Sequence, residues 1–277
     1  MSIRDGRMGR IFNKTDGERM ESLARNFTQY FRVRLAATHQ QQRYAYAIRY
    51  QVYAEELGWE PLDESRLESD VCDGYATHCL LEHRRSGDIA GCVRVVTPPV
   101  GQLDAKLPCQ LHEIPMTKEQ KQRLRPHGEV GEISRLAVPS GFRRRAREAG
   151  KPFVLDAHST TGFYTEEERR NFPNISIGLY LSAIASVDLS ELQRVLVVME
   201  PRLQRHLKRF GLKFHQISTP FELRGTRALF ELPREELTAH MELPILDLYR
   251  HIREELSDQW QAGRQPASRN LNANERF

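Results

Sequence analysis

Residues 128–138 read GEVGEISRLAV, and the fold is decided by this stretch. Its Val, Ile and Leu residues predict a β-strand. A strand in the middle of a mixed sheet is normally almost continuously apolar, yet this one carries Glu132, Ser134 and Arg135. Buried polar groups cost free energy unless they are paired or face a cleft. Two interpretations follow: an internal ion pair, for instance of Glu132 with Arg94 or Arg135, or an active site.

The elements around this strand can be predicted from hydrophobic periodicity and turn residues. The predicted strands begin at Tyr30 and cover 76–83, 89–98, 128–138, 193–199, 213–218 and 226–232. The predicted helices cover 44–57, 175–187, 201–211 and 244–256. This order predicts an α/β protein with a mixed, mostly antiparallel central sheet flanked by helices on both faces.

The 277 residues are enough for one core with terminal extensions, and no internal repeat is present. We predict a flexible arm or loosely docked helix over 1–28, one domain over 29–256 and a disordered polar tail over 257–277. Residues 98–128, rich in Pro and Lys, form a long excursion between two strands. Residues 151–172 carry no clear pattern.

Composition indicates an ordinary soluble protein, with 39% hydrophobic and 28% charged residues. The sequence contains no long apolar run and no apolar signal at the start, so we expect a cytoplasmic protein without a transmembrane segment. The cysteines form no CxxC pair and no cluster with histidines, which argues against a disulfide framework or a metal site. They are Cys72, Cys79, Cys92 and Cys109.

Several motifs, in order along the chain, resemble one family. EISRLAV (132–138) resembles the central strand of the autoinducer synthases, which make acyl-homoserine lactones and belong to the GCN5-related N-acetyltransferase (GNAT) superfamily. IRYQVYAEELGW (48–59) resembles the N-terminal helix of the same family. The residues that match the family's motifs are Arg49, Tyr53, Trp59, Asp70, Asp73, Arg94, Glu132 and Arg135.

The sequence also departs from that family. Tyr53 stands where the family usually has Phe, and the chain is longer. The 98–128 excursion and the C-terminal half are more similar to a related branch, which holds the N-acyl amino acid synthases and the acyltransferases associated with the exosortase (PEP-CTERM) system. EISRLAV followed directly by an FRRR loop particularly resembles the latter. These departures weigh against S-adenosylmethionine use and lactone formation, and they leave acyl transfer as the implied activity.

The resemblance implies an N-acyltransferase that moves a fatty acyl group from a phosphopantetheine thioester to a small amine, such as an amino acid. Glu132 would take a proton through a water molecule, with Ser134 and Arg135 beside it. Main-chain groups of Leu136 and Val138 would polarise the carbonyl and hold the pantetheine arm. The predicted substrate-binding residues are Arg49, Tyr53, Trp59, Asp70, Asp73 and Arg94, and no metal is expected.

The loop SGFRRRAREAG (140–150) bears on the acyl donor. Members that use coenzyme A carry a glycine-rich loop here, which binds a pyrophosphate through main-chain amides. This loop offers arginines instead, which suits the phosphate and acidic surface of an acyl carrier protein. They are Arg143, Arg144, Arg145 and Arg147. The alternative is a solvated basic loop or one that contacts nucleic acid, although we expect no nucleic-acid partner.

Other readings stay open. Asp70 and Asp73 could bind the ammonium group of the acceptor or pair with Arg49 and Arg94. The 48–59 segment is either a lid or ordinary aromatic packing, and the 175–187 helix lines an acyl tunnel or belongs to the core. Rival functions are an acyl-homoserine lactone synthase, an acetyl-coenzyme A N-acetyltransferase, and a non-enzymatic acyl-ligand or nucleic-acid binding module. A lipid product would allow peripheral membrane contact.

Overall fold

One mixed β-sheet organises the chain, and the computed structural model describes residues 23–112, 114–124, 128–143 and 173–264. Its strands are β1 (Phe31–Leu35), β2 (Ala76–His83), β3 (Ile89–Val96), β4 (Val130–Ala137), β5 (Arg194–Met199), β6 (His215–Gln216), β7 (Phe221–Glu222) and β8 (Thr226–Pro233). The helices are α1 (His39–Tyr50), α2 (Pro108–Leu111), α3 (Lys118–Arg123), α4 (Pro173–Leu189), α5 (Pro201–Leu207) and α6 (Leu243–Arg264), preceded by helical residues 23–30.

The strand order is β1-β2-β3-β4-β5-β8-β6, and β7 pairs with β8. β4 and β5 are parallel, whereas the other pairs of described strands are antiparallel. The predicted mixed, mostly antiparallel sheet with flanking helices is therefore confirmed, and β4 lies at its centre.

The hairpin of β2 and β3 is formed as its turn residues predict. Gly87, with a φ of 75°, stands in the connection, where a residue without Cβ adopts the left-handed region without strain. The register places His78 opposite Arg94. An arginine thus enters the middle of the sheet from the strand next to β4.

Helix α1 is capped at its start and distorted at its end. The Thr38 side chain accepts a hydrogen bond from Gln41 N, and the Gln41 side chain accepts one from Thr38 N, forming a capping box. After Tyr50 the helix continues as a π-helical segment, Gln51–Glu56, and Gly58 follows with a φ of 63°. Such segments often occur at functional sites.

Helices α4 and α6 cover one face of the sheet and form the largest core. Residues 175–187 of α4 are all buried, as expected for a core helix. A Cβ added at Gly178 would lie 2.3 Å from the Phe27 ring, so the helical 23–30 segment packs directly on α4. Glycine at this position allows that approach.

The other face is covered by α1 and by the β3–β4 connection, which carries α2 and α3. The predicted 98–128 excursion thus lies over the sheet. Its apolar residues form a second core cluster with side chains of β3, β4, β5 and β8. The members of this cluster are Cys72, Val96, Leu107, Cys109, Ile114, Leu124, Val130, Leu196 and Leu229.

Several boundaries differ from the prediction. Helix α6 continues to Arg264 rather than ending at 256, because Trp260 still packs against the core. Residues 23–30 are helical, and Phe27 is buried, so the end of the predicted 1–28 arm is docked. Strand β7 was not predicted. None of the described helices combines the length and the apolar character needed to cross a membrane.

Candidate active site

Strand β4 contains a β-bulge next to its polar residues. The register between β3 and β4 shifts between Cys92 and Arg94, so Arg135 and Leu136 together oppose one residue of β3. Arg135 has a φ of 52°, a conformation that costs a non-glycine residue about 1 to 3 kcal/mol. Bulges of this kind redirect a side chain and are frequent beside active sites.

β4 and β5 part beyond this point. Their parallel pairing runs from Val130 with Arg194 to Ile133 with Val197, whereas β4 continues to Ala137 and β5 to Met199. Main-chain groups beyond Ile133 face the opening between the two strands rather than a ladder. Such groups are strong hydrogen-bonding partners for an extended ligand.

Glu132 lies near the end of the β4–β5 ladder, just before the strands part, and it is only 2% exposed. Its Oε2 accepts a 2.8 Å hydrogen bond from the main-chain N–H of Cys109 in α2. Burial raises the pKa of Glu132 to about 7, although the Cys109 N–H and the charges of Arg94 and Arg135 act in the opposite direction. A carboxyl with this pKa exchanges protons near neutral pH.

Glu132 forms no ion pair within the described parts of the chain, so the alternative of an internal ion pair with Arg94 or Arg135 is not observed. Both arginines pair with other carboxylates. The polar residues of β4 therefore belong to two separate groups. Glu132, before Ser134, is a buried carboxyl bound to α2, whereas Arg135, after Ser134, belongs to an ionic network.

The ionic network begins with Arg49 and Asp73. Arg49 donates two hydrogen bonds to the Asp73 carboxylate, of 2.7 and 3.1 Å. Arg94 donates to Asp70 at 2.6 and 3.0 Å and to Asp73 at 2.7 Å. Arg49 and Arg94 are 1% and 0% exposed, so both charges depend on these carboxylates.

Arg135 and Glu68 complete the network. Arg135 Nε donates to Glu68 at 3.1 Å, and the Glu68 carboxylate also pairs with Arg49. Burial alone would raise the pKa of Glu68 and Asp70, but the neighbouring arginines lower both. The network thus joins three guanidinium groups to three carboxylates, and it lowers the pKa of Glu68, Asp70 and Asp73.

Two uncharged side chains, those of Ser134 and His78, lie next to the network. Arg94 Nε donates to Ser134 Oγ at 3.1 Å, which fixes the hydroxyl against β3. His78 Nε2 lies 3.5 Å from Asp73, and burial lowers the pKa of His78 to about 4, so its ring is uncharged at neutral pH.

Tyr53 and Trp59 join α1 to the bulge. The Tyr53 hydroxyl donates a 2.8 Å hydrogen bond to the carbonyl oxygen of Leu136, and the Trp59 ring stacks on Tyr53 with centroids 6.0 Å apart. The Arg135 guanidinium carbon lies 5.7 Å from the centroid of the Tyr53 ring. The aromatic pair thus stands directly against the opening of the strands.

The β7–β8 hairpin closes over Trp59 from the other side. Arg224, at the turn, donates to the main-chain oxygen of Trp59 at 2.7 Å and to Glu60 at 2.9 Å. The guanidinium carbons of Arg224 and Arg227 each lie 5.6 Å from the Trp59 ring centroid. These contacts fix the position of Trp59.

Residues 140–143 of the arginine-rich loop lie in the described part of the chain, and Arg143 is the one arginine among them. Arg143 forms an ion pair with Glu56, at the end of the π-helical segment, and the same carboxylate accepts from Ser140 N at 3.0 Å. Arg144, Arg145 and Arg147 lie outside the described residues. Leu136 and Val138, which the sequence assigns to the donor, are both buried.

The cysteines are all free and buried. Burial, together with the Glu132 charge, raises the pKa of the Cys109 thiol, and burial raises the pKa of Cys92 to about 12. Thiols with a raised pKa carry little thiolate and are poor nucleophiles. Among the residues that the structure describes, no group of three or more His, Cys, Asp or Glu side chains could hold a metal ion.

The structure brings most of the predicted site residues together. Those gathered within the network or the aromatic stack are Arg49, Tyr53, Trp59, Asp70, Asp73, Arg94, Ser134, Arg135 and Leu136. Of the two alternatives for Asp70 and Asp73, pairing with Arg49 and Arg94 is the one observed. Glu132 lies apart from them, bound to α2.

Four residues of the site were missed. Glu68 belongs to an acidic, irregular stretch in which no spacing distinguishes one carboxylate from another. Cys109 acts through its main chain, which leaves no trace in the sequence. Arg227 could have been found, because a basic residue within an apolar strand such as TRALFEL is the same signal that marks β4. Arg224 lies in the turn before that strand and carries no such signal.

Comparison with known proteins agrees with this geometry. Residues 48–150 match a family model described as an acetyltransferase (GNAT) domain, and they run from α1 through β4 into the arginine-rich loop. No curated protein matches the chain.

Two solved structures share the fold at low sequence identity, and a third aligns less well. The AHL synthase LasI aligns with a TM-score of 0.51 and 14% identity over 79% of this chain and 95% of its own. TofI, crystallised with an inhibitor and MTA, aligns with a TM-score of 0.50 and 18% identity over 80% of this chain and 99% of its own. FeeM, an N-acyl amino acid synthase from uncultured soil microbes, aligns with a TM-score of 0.47 and 11% identity over 77% of this chain and 95% of its own.

The parting of β4 and β5, the bulge, the family match and the shared fold agree with one another. Residues 48–150 thus match an acetyltransferase (GNAT) domain, and the chain has the mixed, mostly antiparallel sheet of a GNAT-like fold.

Proposed function

We propose that the protein is an N-acyltransferase that moves a fatty acyl group from a phosphopantetheine thioester to the amine of a small acceptor such as an amino acid. One observation carries this proposal: β4 and β5 part directly beside a buried carboxyl with a pKa of about 7. An extended thioester arm and a proton acceptor would thus meet at one place.

The donor arm would lie between β4 and β5. Main-chain groups of Leu136 and Val138 would bind the pantetheine amides, and N–H groups near the bulge would stabilise negative charge on the thioester oxygen. The Tyr53 hydroxyl fixes the Leu136 carbonyl, and it would thereby hold the bulge in position.

Glu132 would remove the proton that makes the amine nucleophilic. The ammonium group of the acceptor gives one proton to Glu132 through water, and its nitrogen then attacks the thioester carbon. The C–S bond breaks, and the pantetheine thiolate takes a second proton from the nitrogen, leaving a thiol and a secondary amide that keeps one N–H. No covalent acyl-enzyme is required, in agreement with the raised pKa of the Cys92 and Cys109 thiols.

The ionic network would set the acceptor side of the site. Arg135 turns from the bulge toward Glu68 and Asp70, and Asp70 is the most exposed of the network carboxylates. It would be the group best placed to contact an incoming ammonium ion, while Arg49, Asp73 and Arg94 hold it in position.

We propose acyl carrier protein as the donor's carrier, with coenzyme A as the alternative. The arginines at 144, 145 and 147 would pair with the phosphate and the acidic surface of the carrier, while Arg143 anchors the loop to Glu56. The free thiols of the buried cysteines are in keeping with a reaction in the cytoplasm.

Purified protein incubated with acyl donors and a mixture of amino acids tests the proposal. Octanoyl to hexadecanoyl thioesters of acyl carrier protein and of coenzyme A are compared by thiol release and by mass spectrometry of the products. We expect an N-acyl amino acid that disappears with Glu132→Gln. A lactone formed only when S-adenosylmethionine is added would favour the synthases that share the fold, and acetylation without long-chain transfer would favour an acetyltransferase.

The same assay separates the two carriers. Replacing Arg144, Arg145 and Arg147 together by Glu should abolish turnover of acyl carrier protein thioesters and leave coenzyme A thioesters nearly unaffected. Salt-sensitive nucleic-acid binding without acyl turnover would contradict the enzymatic proposal.

A further inference from the structure

Arg227 lies on the sheet face that carries Glu132. In the register of β5 and β8, Val198 faces Leu229, and Leu229 packs in the same cluster as Val130 and Leu196. Because side chains alternate along a strand, Arg227, two residues before Leu229, projects to that same face. The Trp59 ring, 5.6 Å away, covers it.

This arginine is half-buried and has no carboxylate within ion-pair distance among the parts of residues 23–264 that the structure describes. Its Nε donates to the main-chain oxygen of Leu223 at 2.7 Å, which orients the guanidinium without supplying a negative charge. Burial lowers the pKa of Arg227, and the nearby Glu200 offsets this only in part.

The other arginines around the site are different. Arg49 and Arg94 each bind two carboxylates, Arg135 binds Glu68, and Arg224 binds Glu60. A half-buried cation costs free energy unless an anion accompanies it. Among the arginines of this site that the structure describes, Arg227 is therefore the one without a carboxylate in ion-pair contact, and it is available to an anionic ligand.

We propose that Arg227 binds the carboxylate of the acceptor, so that the enzyme acylates amino acids rather than simple amines. This inference rests on the proposed function and deepens it. With Nε held by Leu223 and one face against Trp59, the guanidinium presents its terminal N–H groups as a planar fork, which matches a carboxylate.

A phosphate of the donor is the other anion that this fork could bind. The arginine-rich loop follows β4, whereas Arg227 is on β8, across β5 from that strand. Arg227 also lies next to Trp59, which the stack with Tyr53 links to the bulge. This position favours the acceptor.

Binding of product analogues tests the inference without turnover. Isothermal titration compares N-dodecanoyl glycine, alanine, leucine and tyrosine with the corresponding N-dodecanoyl amino acid amides, which lack the carboxylate. We expect the wild-type protein to bind at least one acid about tenfold more tightly than its amide. Arg227→Met should bind both equally, and Arg227→Lys should retain part of the preference.

Arg250→Met, the same change at an exposed position of α6, is the matched control and should keep the preference. Thermal unfolding verifies that each variant is folded. Equal affinity for acid and amide in the wild type would overturn the inference, as would a preference that survives in Arg227→Met. Weakened binding of phosphopantetheine, with the acid preference intact, would assign Arg227 to the donor instead.

Failure of the proposed function would look different. In that case, the wild-type protein would distinguish acid from amide yet release no thiol from any acyl thioester. The binding measurement and the turnover measurement thus test the two proposals separately.

Discussion

The Tyr53 hydroxyl donates a 2.8 Å hydrogen bond to the carbonyl oxygen of Leu136, and both residues are buried. This bond ties the π-helical segment after α1 to the bulged part of β4. The position of the bulge thus depends on the segment after α1, on the face of the sheet opposite to α4 and α6. The Tyr53 ring also stacks on Trp59.

Tyr53→Phe should keep the stacked ring and lose this hydrogen bond. Because a buried carbonyl then lacks its donor, we expect the free energy of unfolding to fall by about 1 to 2 kcal/mol. Urea unfolding followed by circular dichroism measures the change. Tyr44→Phe, at a tyrosine that is 48% exposed on the same helix, is the control and should have little effect. An unchanged stability of Tyr53→Phe would show that the bond contributes nothing.

Arg49→Met should be strongly destabilising. Removing this guanidinium leaves Glu68 and Asp73 buried with less positive charge, and breaking a buried ion pair typically costs about 3 to 5 kcal/mol. Denaturant unfolding provides the measurement. Arg43→Met changes an exposed arginine of the same helix and should lie close to wild type, and a small loss in Arg49→Met would contradict the structure of the network.

Glu132→Gln should change how stability depends on pH. The folded-state pKa of Glu132 is raised to about 7, so its contribution to stability is complete below the unfolded pKa and is lost as the pH rises through 7. Relative to wild type, the variant should gain about 2 kcal/mol between about pH 5.5 and about pH 8.5. Glu129→Gln, at an exposed position, should show no such gain, and parallel pH curves for wild type and Glu132→Gln would refute the raised pKa.

The pH–rate profile should report the same carboxyl. Because ionised Glu132 takes its proton from the ammonium group of the acceptor, log kcat/KM should rise with a slope of one below the pKa of Glu132, about 7, and level off above it. In Glu132→Gln we expect a rate about 100- to 10,000-fold lower that keeps rising through pH 7, because only the neutral fraction of the amine then reacts. Steady-state rates with a single acceptor provide the test, and a variant profile that still levels off near pH 7 would exclude Glu132 as the base.

Gly178→Ala tests the packing of the 23–30 helix on α4. The added methyl group would lie 2.3 Å from the Phe27 ring, so we expect a loss of about 1 to 3 kcal/mol despite the better helix propensity of alanine. Thermal unfolding of this variant in the wild-type and Phe27→Leu backgrounds measures the coupling. Gly74→Ala, where no atom lies within 4 Å, is the control. A neutral Gly178→Ala would show that Phe27 is not docked.

The sheet could be predicted from the sequence because its strands carry strong local signals. Apolar residues and a turn with Gly87 mark the β2–β3 hairpin, and proline and glycine bound α5. The sequence does not predict β7, because a strand of two residues carries too little pattern. It predicts an end of helix α6 that is too early, because the last turns are polar. The packing of Trp260 against the core is a tertiary contact that periodicity does not reveal.

The sequence predicts which residues belong to the site better than it predicts which groups those residues bind. The polar residues of β4 were conspicuous because they interrupt an apolar strand, but nothing in the sequence indicates that Glu132 binds a main-chain N–H of α2. The partner of Arg135 is Glu68, which lies in a stretch without periodicity. Pairing across such distances is set by tertiary packing, and local patterns do not encode it.

Four residue pairs, from Val130–Arg194 to Ile133–Val197, are the entire ladder between β4 and β5. The sheet therefore consists of two halves, each with antiparallel ladders of its own, that are joined along one short parallel seam. Where the seam ends, an extended ligand could take the place of the missing strand-to-strand bonds and complete the sheet with its own amides.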